Sequence, residues 1–251
     1  MFKLVKYELR ANFLTIIGIC ITVIVASLLL MTKKGTWTMA VPALSACFTI
    51  GSMIVIFIAS LKIMSQYLYG DSGYLLFTLP QSGKSIMASR LLAALIQISI
   101  VGIVTILMFY LTVTEKIDFS FFKTIKASEI IEYIISYIWM IISSLTIIYF
   151  CMIIGKVALK GKKIGKVGSF IIFIIISLLI SWLSFKLMAV LPQTLNLSNF
   201  TISNGSVLNL NPTTSSTAFT VNIAQTIFDI IIFIGLFMTS SYLIDKKLDL
   251  S

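Results

Sequence analysis

The sequence predicts an all-α polytopic membrane protein of six spans, with an amphipathic interfacial helix at its start and a short cytoplasmic helix or tight turn between the second and third spans. Three observations carry this reading. Of 251 residues, 59% are hydrophobic and 11% are charged, whereas soluble domains are roughly a quarter charged. Six apolar stretches reach the length at which a helix crosses a bilayer. The lysines and arginines alternate between rich and poor sides of those stretches, as positive-inside topology requires. The whole of 1–251 reads as one transmembrane domain, with solvent-facing parts limited to tails and loops.

Residues 1–12, MFKLVKYELRAN, open the chain. Phe2, Val5 and Leu9 recur at helical spacing, with Phe13 beyond them, while Lys3, Lys6 and Arg10 fall on other faces. Such a helix lies in the membrane interface with its basic residues near anionic headgroups; a disordered basic start is the plainer alternative. The apolar run that follows is long and lacks a small-residue cleavage site, which argues against a cleaved signal peptide.

The first span is read as Phe13–Met31. Lys33, Lys34 and Trp37 make a short connection to the second, Met39–Leu61, where Pro42 is tolerated in the first turn. A loop from Lys62 to Arg90 follows, then the third span, Leu91–Thr114. The next connection, EKIDFSFFKTIKASEI, carries Phe119, Phe121 and Phe122 and is expected to rest on the interface. The fourth span is Tyr133–Gly155, and Lys156–Lys166 is a loop with five lysines and no acid. The fifth span is Val167–Leu191, with Lys186 near its end able to snorkel. Pro192–Val221 is rich in Asn, Ser and Thr and forms the longest polar segment. The sixth span is Asn222–Ile244, followed by the tail DKKLDLS.

Thirteen of the 19 Lys and Arg residues lie on the side of the N-terminus, the second-to-third loop, the fourth-to-fifth loop and the tail; six lie on the other. Both termini are therefore expected in the cytoplasm, together with the second-to-third loop, and 192–221 is expected outside.

That second-to-third loop contains the best-marked non-membrane stretch, Gly70–Ile86, GDSGYLLFTLPQSGKSI. Tyr74–Leu79 is apolar but too short to cross a bilayer. Pro80 pushes Leu79 away from helical geometry, and Ser82 is placed to cap the next helix. A compact apolar knob between turn residues needs something to bury it: the membrane surface, the rest of the protein, or a partner. Gly83-Lys84-Ser85 matches the end of a phosphate-binding loop, but Thr78 stands where the first glycine belongs, and no buried strand precedes it. A solvated turn is the better reading.

Asp229 is the one acid well inside a span. A carboxylate near the bilayer centre costs about 2.5–3.5 kcal/mol, so it is expected to face the bundle, a partner chain or a water-filled path. Gln225 and Phe233 lie one turn to either side on the same face. A translocation-path role through Asp229, Gln225 and Gln97 stands beside a structural hydrogen bond between helices, and beside a position for Asp229 shallower than the span suggests. Gln97, Ser143, Ser144 and Thr146 are read first as helix–helix hydrogen bonds. Cys20, Cys47 and Cys151 lie in apolar spans and read as small packing residues. With no histidine, histidine-based catalysis and metal binding are excluded. No paired carboxylates, nucleophile–base arrangement or metal-ligand spacing occurs in the water-facing loops, so no catalytic or metal-binding residue is assigned. The placement of the +10 net charge reads as topology, not nucleic-acid binding.

The chain resembles the ABC-2-type permeases, the membrane subunits of a class of ABC transporters. The likeness rests on the amphipathic start Phe2-Lys3-Leu4-Val5-Lys6-Tyr7-Glu8-Leu9, the six spans with both ends inside, and the long last extracellular loop. Its strongest part is Gly73-Tyr74-Leu75-Leu76-Phe77-Thr78-Leu79-Pro80 in the second-to-third loop, followed by Gln81-Ser82-Gly83-Lys84-Ser85. The resemblance implies that this loop is a coupling helix seated in a groove of a separate ATPase subunit, through Asp71, Tyr74, Leu75, Leu76, Phe77, Leu79 and Pro80. It implies that ATP and magnesium bind that partner, with no cofactor on this chain, and that a second permease chain completes the transporter, most simply as a homodimer in a bacterial plasma membrane. Small permeases of this kind look like exporters of amphipathic peptides such as phenol-soluble modulins and bacteriocins; drugs or lipids, then ions, rank behind. Two rivals remain at this point: a proton-coupled secondary transporter using Asp229, and a membrane assembly or sensor protein that moves nothing.

Overall fold

The computed structural model describes residues 2–33, 37, 40–69, 82–113, 127–157, 165–196, 201–204 and 220–246. Among these are seven helices: α1 (Phe2–Ala11), α2 (Phe13–Thr32), α3 (Ala40–Tyr69), α4 (Gly83–Val113), α5 (Ala127–Val157), α6 (Gly165–Val190) and α7 (Ile223–Lys246). All but α1 contain a stretch long and apolar enough to cross a membrane. Large apolar side chains along them point outward, among them Leu14, Leu178 and Phe185. A water-soluble protein does not expose apolar surface on this scale. Lipid covers it here, and the chain is a multi-pass membrane protein.

The chain divides into two compact units, the first within Met1–Thr124 and the second within Ile125–Asp249. In the first, α3 and α4 make the most extensive helix contact among the described residues, with α2 packed on both and α1 on α4. At 30 and 31 residues, these two helices are each about 45 Å long by helix rise. Both run past their predicted spans. Lys62–Tyr69 continues α3 because no Gly or Pro interrupts it and one face finds a partner: Ile63, Met64, Tyr67 and Leu68 are buried. Gly83–Arg90 opens α4, with Ile86, Met87, Ser89 and Arg90 buried. The expected 62–90 loop is thus helical at both ends, and only 70–81 lies between them outside the described residues. Ser82 stands just before α4, and its carbonyl accepts from the N–H groups of Ser85 (2.9 Å) and Ile86 (3.2 Å), the position expected of a cap.

In the second unit α5 packs on both α6 and α7, with Leu145, Tyr149 and Ile153 fully buried in its core. Gly155 on α5 lets α6 approach closely. A Cβ built there would stand 3.1 Å from the Ser169 Cβ and 3.3 Å from its Cα, the small-residue packing that lipid-embedded helices use.

The all-α expectation needs one addition. In and just after the polar 192–221 segment lie β1 (Gln193–Asn196), β2 (Thr201–Asn204) and β3 (Thr220–Asn222), in the order β2-β1-β3. Both pairs are antiparallel, with Leu195 opposite Ile202 and Val221. The Asn/Ser/Thr composition conceals the β-branched residues Thr194, Thr201, Ile202, Thr220 and Val221, which suit a pleated surface. Asn222 ends β3 and starts α7 at once. Its Oδ1 accepts from the Gln225 N–H at 3.0 Å, and its Nδ2 donates to the Leu191 carbonyl at 2.9 Å, tying the end of α6 to the start of α7.

Candidate functional site

Asp229 lies six residues into α7, about 9 Å along it by helix rise. It opens onto a cavity of about 130 Å³ inside the second unit, lined by Trp139, Ser143, Thr146 and Ile147 of α5, Ile180 of α6, and Asp229, Ile232, Phe233 and Leu236 of α7. Three helices thus bring one carboxylate, two hydroxyls and two aromatic rings to a single space. Trp139 and Phe233 meet edge to face, with centroids 5.4 Å apart, and Phe233 stacks on Phe237 at 6.1 Å. The aromatic wall is therefore held from both sides.

The Ser143 and Thr146 hydroxyls do not make the helix–helix hydrogen bonds expected of them from the sequence. Ser143 Oγ donates to the Met140 carbonyl at 3.1 Å and Thr146 Oγ1 to the Ile142 carbonyl at 2.7 Å. A carbonyl three or four residues back is always within reach in a helix, and it wins. With those protons committed, the hydroxyl oxygens keep only acceptor capacity. Among the described residues no cation pairs with Asp229.

Of the three residues grouped as a translocation path, only Asp229 lines this cavity. Gln225 takes part in the start of α7 through its backbone. Gln97 belongs to the first unit, where it is fully buried, and its amide atoms have no hydrogen-bond partner among the described residues. Phe233 joins Asp229 as its spacing predicts.

A second polar cluster, missed in the sequence, lies in the first unit. Glu8 of α1 forms an ion pair with Arg90 of α4, and the Arg90 guanidinium sits over the Tyr67 ring of α3 with its carbon 4.9 Å from the centroid. Arg90 is 3% exposed and Glu8 16%. Burial pushes the Glu8 carboxyl above its ordinary pKa, and Arg90 opposes this without reversing it. On α1, Leu4 and Val5 are buried, Leu9 is half-buried, and Lys3, Lys6 and Arg10 are exposed. An arginine directly after Gly83-Lys84-Ser85-Ile86-Met87-Ala88-Ser89 reads as loop charge; nothing in the spacing links it to an acid near the start of the chain.

The apolar knob (Asp71, Tyr74, Leu75, Leu76, Phe77, Leu79 and Pro80) lies outside the described residues, as does the Phe2 side chain. Among the described residues no group of three His, Cys, Asp or Glu side chains forms a metal site. No protein-family model, curated protein or solved structure matches the chain.

Proposed function

We propose that this chain is the membrane subunit of an ATP-driven exporter of the ABC-2 type, working with a separate ATPase chain and a second permease chain. One observation carries the reading. The long helices α3 and α4 stay packed and buried beyond their apolar spans, at the ends that hold the 70–81 segment, and α1 is fastened there through Glu8 and Arg90. A hydrocarbon core is about 30 Å thick, so helices of about 45 Å leave several turns for water. Burial in those turns draws on the hydrophobic effect, which is absent between helices in lipid. A packed, buried stalk of this kind suits a segment that must transmit force.

In this reading α1 lies in the cytoplasmic interface, both termini are cytoplasmic, and the β1–β3 sheet faces outward across a bacterial plasma membrane. The Tyr74–Leu79 knob docks into the ATPase, where ATP and magnesium bind. Closure of the ATPase pair moves the knob, and the packed helices shift as bodies around a path for amphipathic cargo, peptides first. The test is co-expression with ATPase subunits from the same genome, as wild type and as Leu75→Asp plus Phe77→Asp. Wild type should retain an ATPase through purification and raise its turnover in reconstituted membranes, and the double variant should lose both. Equal retention by the variant overturns the coupling role, and transport with no ATPase present overturns the class.

A further inference from the structure

We propose that the Asp229 cavity is a binding site for an alkylammonium group. Every polar group on its wall except the Trp139 indole N–H is an acceptor: the Asp229 carboxylate, and the Ser143 and Thr146 oxygens whose protons are spent on their own helix. An ammonium brings up to three donors and one positive charge to such a wall. The remaining lining, Ile147, Ile180, Ile232 and Leu236, suits the alkyl stem.

Size and charge narrow the ligand. An enclosed apolar cavity of about 150 Å³ accepts benzene, so this half-open pocket of about 130 Å³ takes in about five heavy atoms, a butylammonium or the end of a lysine side chain whose remainder stays outside. One carboxylate is too few for calcium, which takes 6–8 oxygen ligands. A carboxylate within a span is costly alone, and a bound cation offsets that cost. The group has two sources, a free hydrophobic amine or a lysine of a peptide. The second rests on the export reading; the site itself does not.

The experiment uses the purified chain in detergent without any ATPase, so that its outcome is independent of the coupling test. Thermal stabilisation and equilibrium binding are measured with butylammonium, with butanol as the neutral isostere, and with sodium chloride as competitor. Butylammonium should raise the unfolding temperature where butanol does not, and Asp229→Asn should weaken its binding at least tenfold while keeping the cavity shape. Equal effects of amine and alcohol in the wild type overturn the proposal even if the variant fails to fold. Displacement by sodium at equal concentration also overturns it. A lysine-bearing amphipathic peptide, compared with its glutamine-substituted form, assigns the source: discrimination between them, blocked by butylammonium, supports cargo lysine, and amine binding without it supports a free amine.

Discussion

At the residue scale, Glu8 and Arg90 are unequal partners. Both are largely buried, but a carboxylate can take up a proton whereas a guanidinium stays charged. Glu8→Ala therefore takes charge and hydrogen-bond acceptor together away from a guanidinium with no means of neutralising itself, and should cost up to about 3–5 kcal/mol. Arg90→Met leaves a carboxyl that burial already holds above its ordinary pKa and that goes neutral, so it should cost less. Glu8→Met with Arg90→Met should recover most of the loss, since apolar replacement of a buried pair is often neutral. Unfolding of the four proteins in detergent gives this order; equal losses in both single variants would refute it. The pH dependence has a definite sign. Because the folded pKa of Glu8 is raised, the folded state holds its proton more tightly than the unfolded chain does. The Glu8 contribution is thus fully present below the unfolded value and is lost as pH rises through the folded one. In the Arg90→Met background, the stability of the chain that keeps Glu8, measured against the same chain with Glu8→Gln, should fall across that window as pH is raised.

At the element scale, the α5–α6 contact depends on Gly155 having no side chain. Gly155→Ala places a methyl against the Cβ and backbone of Ser169; overpacking of this sort typically costs 1–3 kcal/mol, here about 2. Ser169→Gly in the same chain should restore most of it, whereas Ser169→Gly alone should not stabilise. If Gly155→Ala melts with the wild type, the contact is looser than its geometry requires. The spans themselves are legible in the sequence, because unbroken apolar length is a strong signal and lipid tolerates little else. Helix ends are less so: Lys62–Tyr69 and Gly83–Arg90 are helical through mutual burial, which no local pattern in either stretch encodes. The small sheet stays hidden because strands of three or four residues hardly alter a polar composition. Asn222, three residues before Gln225 and just ahead of an apolar run, does carry a readable capping signal. Asp229 and Phe233 are legible as a helical face, while Trp139, Ser143 and Ile180 reach the same cavity from other helices, and only tertiary packing brings them there.

At the scale of the whole molecule, charge and helix length make one joint claim about orientation. By the count of six spans, the extended ends of α3 and α4 flank the 70–81 segment on the side to which thirteen of the 19 basic residues are assigned, and anionic lipid on the cytoplasmic leaflet would favour that arrangement. The sheet-bearing side holds six. Cys20, Cys47 and Cys151 all fall within the helices, so a cysteine-free background made with serine or alanine leaves the loops untouched. In it, Ser215→Cys should react with a membrane-impermeant maleimide on intact cells, and Ser72→Cys only after permeabilisation. The reverse pattern would place the 70–81 segment outside, beyond the reach of any cytosolic ATPase, and would remove the coupling mechanism while leaving the Asp229 cavity as it stands. Labelling of both positions on intact cells would mean that the chain does not insert in one orientation, and the charge asymmetry would then have failed as a guide to its topology.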